Sequence, residues 1–149
     1  MKSQNKFKGV AILVAALSII LLAGSALGSQ WEWMHPYPTA QNIRGAWMDS
    51  SGHIFAVGDA GLILHHDGNA WEQMESGTTE ILRGVWGLSP TGVFAVGDGG
   101  TILYYNGIQW VAYTTNTNAD LRGVWSDGGG NVYAVGANST ILKLEGASW

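Results

Sequence analysis

The sequence repeats three short boxes at a constant spacing. The first box reads IRGAW at 43–47, LRGVW at 82–86 and LRGVW at 121–125, so its copies start 39 residues apart. The second box reads FAVGD at 55–59, FAVGD at 94–98 and YAVGA at 133–137. The third reads LILHHDGNAW at 62–71, TILYYNGIQW at 101–110 and TILKLEGASW at 140–149. Ten positions are identical in all three copies, so the body of the chain consists of three repeats of one unit.

Each unit contains four short apolar or aromatic runs separated by turn-forming residues. Runs of this kind at a spacing of about 8–11 residues predict strands joined by hairpins. Asp67-Gly68 and Asn106-Gly107 are strong hairpin turns, because both residue types tolerate a positive φ. No segment of the body has a sustained helical period. The prediction is an all-β chain whose 39-residue units, starting at 43, 82 and 121, are four-stranded propeller blades.

The box FAVGDGGTIL at 94–103 and the DGNAW-type turns resemble the repeats of a known superfamily. They are similar to exported bacterial β-propellers of the sialidase-type (Asp-box-like) superfamily, which includes photosystem II assembly-factor propellers. The resemblance extends from Trp31 to Trp149. The chain departs from the full Asp-box pattern, S-x-D-x-G-x-T-W, because the leading serine is missing from its turns. The resemblance implies the propeller fold, which serves lectins, scaffolds, assembly factors and hydrolases alike.

Three blades are fewer than the 4–8 that propellers use. The segment Trp31-Glu32-Trp33-Met34 resembles the fourth-strand sequence Trp71-Glu72-Gln73-Met74, so we expect a closing strand at 31–36 that completes the last blade. The predicted domain is therefore 29–149. Two copies of the chain would make six blades, which predicts a homodimer. The alternative is a truncated propeller that a second polypeptide completes.

Residues 1–28 have the pattern of an export signal. Lys2, Lys6 and Lys8 precede an uncharged apolar run at 9–28, which ends in Ala26-Leu27-Gly28. Cleavage there would leave Ser29 as the first residue, whereas the alternative is an uncleaved membrane anchor. Either case places the body outside the cytoplasm, in the periplasm or the extracellular space, or anchored to the membrane and facing outward. The chain has no cysteine, so packing alone must stabilise it.

The charge of the body argues against nucleic acid as a partner. Three of the seven basic residues lie before residue 9, so from Ser29 onward four basic residues face eleven acidic ones, a net charge of −7. Such a body repels phosphate backbones. We expect a protein or a glycan as ligand, and contact with a membrane only if the N-terminal segment stays uncleaved.

The chain has three arginines, Arg44, Arg83 and Arg122, one at the same position of each first box. First strands line the channel of a propeller, so the arginines could form a ring at one mouth that binds a carboxylate, a sulfate or an acidic loop. The alternative is a structural ion pair from each arginine to the aspartate of a neighbouring blade, Asp59 or Asp98. The third blade has Ala137 at that position.

For the remaining candidate residues we expect structural roles and not ligand or metal binding. The periodic tryptophans are expected to pack between blades rather than to bind sugars; they are Trp47, Trp71, Trp86, Trp110, Trp125 and Trp149. The histidines do not recur between units, which argues against a metal site and leaves no cofactor expected; they are His35, His53, His65 and His66.

No pattern of catalytic residues recurs along the chain. A sialidase-like enzyme would need a tyrosine–glutamate nucleophile and an acid/base carboxylate, and Tyr104, Tyr105 and Tyr133 have no consistent glutamate partner. The sequence therefore predicts a non-enzymatic binding protein, a scaffold or assembly-type factor that holds another exported protein. The alternatives are a lectin with sugar sites between its blades and, third, a glycoside hydrolase.

Overall fold

A computed structural model describes residues 40–149, and this part of the chain is built from eleven strands in three antiparallel sheets. The first sheet, blade 1, contains β1 Ile43–Met48, β2 Ile54–Gly58, β3 Ile63–His66 and β4 Trp71–Met74. Blade 2 contains β5 Leu82–Ser89, β6 Gly92–Gly97, β7 Ile102–Tyr105 and β8 Trp110–Tyr113. Blade 3 contains β9 Leu121–Ser126, β10 Val132–Gly136 and β11 Ile141–Lys143. The predicted all-β fold and its repeat are confirmed.

In each sheet the strands pair in sequence order, so every connection within a blade is a hairpin. Short 3-10 turns at Asp59–Gly61 and Asp98–Gly100 join the second strand to the third in blades 1 and 2. Blade 3 has three strands within residues 40–149. The predicted closing strand at 31–36 and the predicted export signal at 1–28 lie outside the described residues. No helix within 40–149 has the length and apolar character that crossing a bilayer requires.

The hydrophobic core lies between successive blades. Phe55, Val57 and Ile63 of blade 1 form one buried cluster with residues of β5 and β6. On β6, Val93 belongs to this cluster, whereas its neighbour Phe94 belongs to the cluster shared with blade 3. Alternate residues of a strand point to opposite faces of the sheet. The middle blade is therefore apolar on both faces because it is covered from both sides.

The first strands of the three blades come close to one another at their glycines. A Cβ at Gly45 would lie 3.0 Å from the Arg83 carbonyl oxygen. A Cβ at Gly84 would lie 3.1 Å from both the Arg122 carbonyl oxygen and the Gly123 Cα. Only a residue without a side chain permits this approach of backbone to backbone.

The tryptophan prediction holds for most of the periodic set. Trp110 is buried, and the indole of Trp47 occupies the space that a Cβ on Gly87 of the next blade would need. Trp86 contacts the ring of Trp125 in blade 3, with 6.5 Å between the ring centroids. Trp125 has this contact on one side and is otherwise 51% exposed, because no blade within residues 40–149 follows blade 3.

Replacing Gly84 by alanine tests the contact between first strands. We expect Gly84→Ala to destabilise the monomer by about 1–3 kcal/mol, since the new methyl group meets two backbone atoms that cannot move aside. Gly123→Ala is the matched control, because a Cβ there meets only the Val135 Cγ2 at an ordinary 3.5 Å. Urea unfolding at a concentration where the chain is monomeric gives both values. Equal losses for the two variants would contradict the proposed contact.

Candidate functional site

The three arginines lie at one register on three neighbouring strands. Arg44, Arg83 and Arg122 are each the second residue of a first strand, directly before a glycine. In blades 1 and 2 this glycine contacts the next first strand. The structure thus brings the three predicted site residues to one side of the same strand array.

Each arginine also lies in a β-bulge. The pairing of β1 with β2 passes from Ile43 directly to Gly45, so Arg44 has no partner residue on the next strand. The pairing skips Arg83 between Leu82 and Gly84, and it skips Arg122 in the same way in blade 3. A bulge adds an unpaired residue and redirects its side chain. The sequence carried no signal of this, because the strand pattern alone does not give the register.

In blades 1 and 2 the redirected arginine meets an aspartate of its own blade. Arg44 Nε lies 2.7 Å from Asp59 Oδ1, and Arg44 Nη2 lies 3.2 Å from Asp59 Oδ2. Asn42 Nδ2 also donates to Asp59 Oδ2, at 2.7 Å. Arg83 makes the same two-pronged contact with Asp98 through Nε and, at 2.7 Å, through Nη2. Such forked pairs are stronger and more directional than a single hydrogen bond.

The predicted alternative, an ion pair between neighbouring blades, is wrong in its geometry. In the antiparallel pair of β1 and β2, Ile43 pairs with Gly58, so Asp59 lies opposite Asn42. The bulged Arg44, two residues further along the same strand, reaches Asp59 with its side chain. The ion pairs therefore connect two strands of one sheet. These ion pairs hold each arginine beside its own blade and do not connect one blade to the next.

The third blade differs because Ala137 stands where blades 1 and 2 have their aspartate. Arg122 is exposed and, within residues 40–149, it has no ion pair. The nearby Asp120 carboxylate instead accepts a hydrogen bond from the Gly99 backbone N–H, at 3.3 Å. Arg122 therefore presents its hydrogen-bond donors to solvent, where an external carboxylate can reach them.

The electrostatic field of the site extends across blades. The hydrogen bond from Arg83 is the main cause that lowers the pKa of Asp98, and the charges of Arg122 and Arg44 lower it further. Hydrogen bonds from Arg44 and then Asn42 lower the pKa of Asp59. The hydrogen bond from Arg83 to Asp98 in turn raises the pKa of Arg83, and the charges of Asp120 and Asp59 raise it further. The arginines and aspartates of the three blades therefore form one mixed-charge cluster.

The histidines of blade 1 form a chain that sequence reasoning missed. His53 Nδ1 lies 3.1 Å from His65 Nε2, and His65 Nδ1 lies 3.1 Å from Glu72 Oε1. The adjacent His66 points to the opposite face of β3 and packs against Trp71 instead. Within 40–149 no three His, Cys, Asp or Glu side chains are placed to hold a metal ion. His35 lies outside the described residues.

Two equivalent clefts lie beside the turns that connect one blade to the next. One has a volume of about 510 Å³ and its lining includes Ser76 and Thr78; the other has about 320 Å³ and its lining includes Thr115 and Thr117. Many of their lining residues occupy the same repeat positions, one unit apart. Both clefts are open and mostly polar, and hydroxyls hold the turns that form them: Thr115 Oγ1 lies 2.9 Å from the Gly100 carbonyl oxygen.

The three sheets, with their first strands side by side, define a β-propeller protein. No protein-family model and no curated protein sequence matches the chain. A solved structure described as "YCF48 bound to D1 peptide" is similar to it, with a TM-score of 0.62 and 14% sequence identity. The similarity covers 76% of this chain and 42% of that one, so this chain spans less than half of its length. At this identity the likeness shows the fold, and it agrees with the propeller assignment made from the repeats.

The ion pair of blade 2 predicts a loss of stability in acid. Because the pKa of Asp98 is lower in the folded chain than in the unfolded chain, its charge stabilises the fold above about pH 4, and this stabilisation disappears as the pH falls through the folded pKa. For a partly exposed pair we expect a contribution of about 1 kcal/mol or less. Asp98→Asn should therefore be less stable at pH 7, and its stability should depend less on pH below about 4. Urea titrations between about pH 2 and 7 measure both effects, and parallel pH curves for the two proteins would refute this role of Asp98.

Proposed function

We propose that the protein is an exported, non-enzymatic propeller that binds an acidic segment of a partner protein at its arginine site. The observation that carries this proposal is the unequal use of three equivalent arginines. Arg44 and Arg83 are paired with aspartates of their own blades, whereas blade 3 has Ala137 at the position of these aspartates and Arg122 is exposed. A guanidinium group without an ion pair in the described part of the chain, beside two paired ones, is suited to accept one carboxylate from outside.

The paired arginines also contribute to such a site. Their aspartates fix the guanidinium groups in position, so little side-chain entropy is lost when a ligand binds. The side chains of Arg44 and Arg83 remain 40% and 30% exposed, so each keeps donors available to a ligand. The ligand carboxylate would bind at Arg122, and polar groups of the ligand would extend toward the other two.

The solved neighbour supports a peptide as the ligand class. That protein is described as bound to a D1 peptide, and it has the same fold. We extend peptide binding to this chain as a proposal, with an exposed acidic stretch or a terminal carboxylate of an exported protein as the recognised feature. The acidic body repels an acidic partner elsewhere on its surface, so binding at the arginine site is local and specific.

We also propose the cellular setting and the assembled form. The apolar run at 9–28, after three lysines, directs the chain out of the cytoplasm, to the periplasm or the extracellular space, with cleavage before Ser29 or with the segment kept as an anchor. The active form is a homodimer in which each chain supplies three blades. The partner protein then meets the site outside the cytoplasm.

Two variants test the arginine site, one by removing the charge of Arg122 and the other by pairing that charge within the blade. Arg122→Gln removes the exposed charge, and Ala137→Asp supplies the carboxylate that blades 1 and 2 have, so that Arg122 becomes paired within its own blade. Each should weaken the binding of a fluorescein-labelled hexaglutamate peptide about tenfold, the loss of about one charged hydrogen-bonded contact. Fluorescence anisotropy at low salt measures the dissociation constants. Ala137→Asp should also raise the stability of the fold.

The matched control is Lys143→Gln, which removes one exposed positive charge away from the arginines. Lys143 lies 3.5 Å from Glu145 on blade 3. A nonspecific charge effect would weaken peptide binding equally in this variant. Unchanged binding in Arg122→Gln and Ala137→Asp would contradict the proposal.

A lectin is the second candidate, and the repeated polar clefts are the observation that favours it. Two equivalent clefts lined by hydroxyl groups can hold sugars one unit apart. A glycan array followed by tryptophan-fluorescence titration tests this, with two equivalents bound per chain as the expected result. Sugar binding that survives Arg122→Gln would favour the lectin over the arginine site. Turnover of a fluorogenic sialoside panel would favour the third candidate, a glycoside hydrolase.

A further inference from the structure

A groove lies between the outer strands of blades 1 and 2, and its two walls differ in character. It has a volume of about 250 Å³. The wall on blade 1 runs from Glu72 to Glu75, and both glutamates are exposed. The wall on blade 2 is the β7–β8 turn, from Ile108 to Trp110. We call this the seam groove, and it is formed by two blades that are already packed against each other.

The wall on blade 1 carries negative charge. In the part of the chain that the structure describes, no lysine or arginine forms an ion pair with Glu72 or Glu75. Burial is the main cause that raises the pKa of Tyr105, and the charge of Glu72 raises it further, so the field of this wall reaches blade 2. The next blade has Val111 and Thr114 at the positions of the two glutamates. The negative charge is therefore specific to this groove and is not a property of the repeat.

The wall on blade 2 is apolar at its tip. Ile108 is 86% exposed. Beside it Trp110 is buried, in ring contact with Phe55 of blade 1 and with Tyr105. Blade 3 has Ala147 at the position of the isoleucine. Covering an exposed isoleucine removes apolar surface from water, so a ligand with an apolar side chain gains free energy at this wall.

The histidine chain of blade 1 ends at the carboxylate of Glu72. Because a carboxylate accepts hydrogen bonds, His65 Nδ1 is the donor to Glu72, and His65 Nε2 is left to accept from His53 Nδ1. The two imidazole planes are inclined by only 13°, and their centroids lie 5.4 Å apart, so the rings meet edge to edge. His65 is buried and stacks on Phe55. The chain thus connects a carboxylate of the groove to a second imidazole through one buried ring.

Packing alone does not require this pair of histidines. Blade 2 has Gly92 and Tyr104 at the positions of His53 and His65. A Cβ on Gly92 would lie 3.4 Å from the Tyr104 hydroxyl oxygen, so one tyrosine side chain extends toward the place of the first histidine. The pair in blade 1 therefore adds a property that the tyrosine lacks, because histidine gains and loses charge between about pH 5 and 8.

A proton on the histidine chain changes the charge of the groove. With both imidazoles neutral, Glu72 contributes a full negative charge. A proton added at the outward Nε2 of His53 leaves every hydrogen bond of the chain in place, and it creates a cation linked through His65 to Glu72. This positive charge offsets the charge of the carboxylate. The groove is therefore less negative in mild acid than at pH 8.

Three other titratable groups lie beside the chain or the groove: Asp49, Glu75 and Tyr105. Hydrogen bonds, first from the Ser51 hydroxyl and then from the His53 backbone N–H, lower the pKa of Asp49. The pKa of Tyr105 is raised above its ordinary value. Asp49 therefore stays charged and Tyr105 stays neutral between about pH 5.5 and 8. A change of binding over this range reports on the histidines.

We propose that the seam groove binds an extended segment of a partner protein in which basic residues alternate with apolar ones, and that mild acid weakens this binding. Successive side chains of an extended segment point to opposite sides. Its basic residues therefore meet Glu72 and Glu75, while its apolar residues cover Ile108. A proton on the histidine chain lowers the attraction between Glu72 and a basic residue. This inference goes beyond the proposed function, because the arginines and their aspartates take no part in it.

The first test uses a rhodamine-labelled hexapeptide in which lysine alternates with valine. Its fluorescence anisotropy is measured with the full chain, kept in solution by a non-ionic detergent. At pH 8, Glu72→Gln should weaken binding about tenfold and Ile108→Ser about threefold. Both side chains are mostly exposed, so both variants should stay folded, which circular dichroism checks.

The matched control is Glu80→Gln, which removes an exposed carboxylate that does not line the groove. Binding by this variant should equal that of the unmodified chain. An equal loss in Glu80→Gln and Glu72→Gln would show a general attraction to an acidic body and would overturn the proposal. Absence of binding by the unmodified chain would overturn it as well.

The second test measures the pH dependence. Binding by the unmodified chain should weaken at least about threefold from pH 8 to pH 5.5. The double variant His53→Gly, His65→Tyr gives blade 1 the residues of blade 2, so it should fold and bind the peptide equally at both pH values. His66→Tyr is the control, because it makes the equivalent exchange at a histidine outside the chain and should keep the pH dependence. Equal binding by the unmodified chain at both pH values, or an unchanged pH dependence in the double variant, would refute the role of the histidines.

Discussion

The close approach of the first strands through their glycines is the constraint on which the rest of the structure depends. Gly45 and Gly84 let one backbone lie against the next, and no side chain fits between them. This contact sets the distance between successive blades near the first strands. It therefore determines how deeply Trp47 can reach toward Gly87 and how the apolar faces of neighbouring blades meet. As a consequence, the arginine that precedes each glycine lies at the same position of the first strand in all three blades.

The arginine site shows how one substitution in a repeat can turn a residue of a structural ion pair into a candidate binding residue. In blades 1 and 2 the bulged arginine and the aspartate after the second strand form a closed pair within one sheet. In blade 3 the bulge and the arginine are retained, but alanine replaces the aspartate. The repeat supplies the position of the guanidinium group, and the loss of the carboxylate leaves it available. Identity between repeats thus marks the scaffold, and the departure at Ala137 marks the candidate site.

The repeat predicted the fold in detail, because a spacing of 39 residues and four apolar runs allow few architectures. It also predicted that the arginines lie together, since equivalent positions of successive blades are neighbours. It did not predict the bulges at Arg44, Arg83 and Arg122, because register depends on hydrogen bonding between strands. For the same reason the aspartates were assigned to the wrong blade. The chain from His53 through His65 to Glu72 was missed because it occurs in one blade, where a search for recurring residues finds nothing.

The burial of blade 2 on both faces also has a consequence for motion. β6 is buried along its whole length, whereas β1 and β11 are largely exposed at the two ends of the blade array. Strands with the most buried contacts open only in global unfolding, while strands with few open locally at much lower free energy. Slow hydrogen exchange should therefore concentrate in the centre of the chain and fade toward both ends. Arg83 is anchored beside this rigid centre, whereas Arg44 lies on the largely exposed β1, so the site joins a fixed guanidinium group to a more movable one.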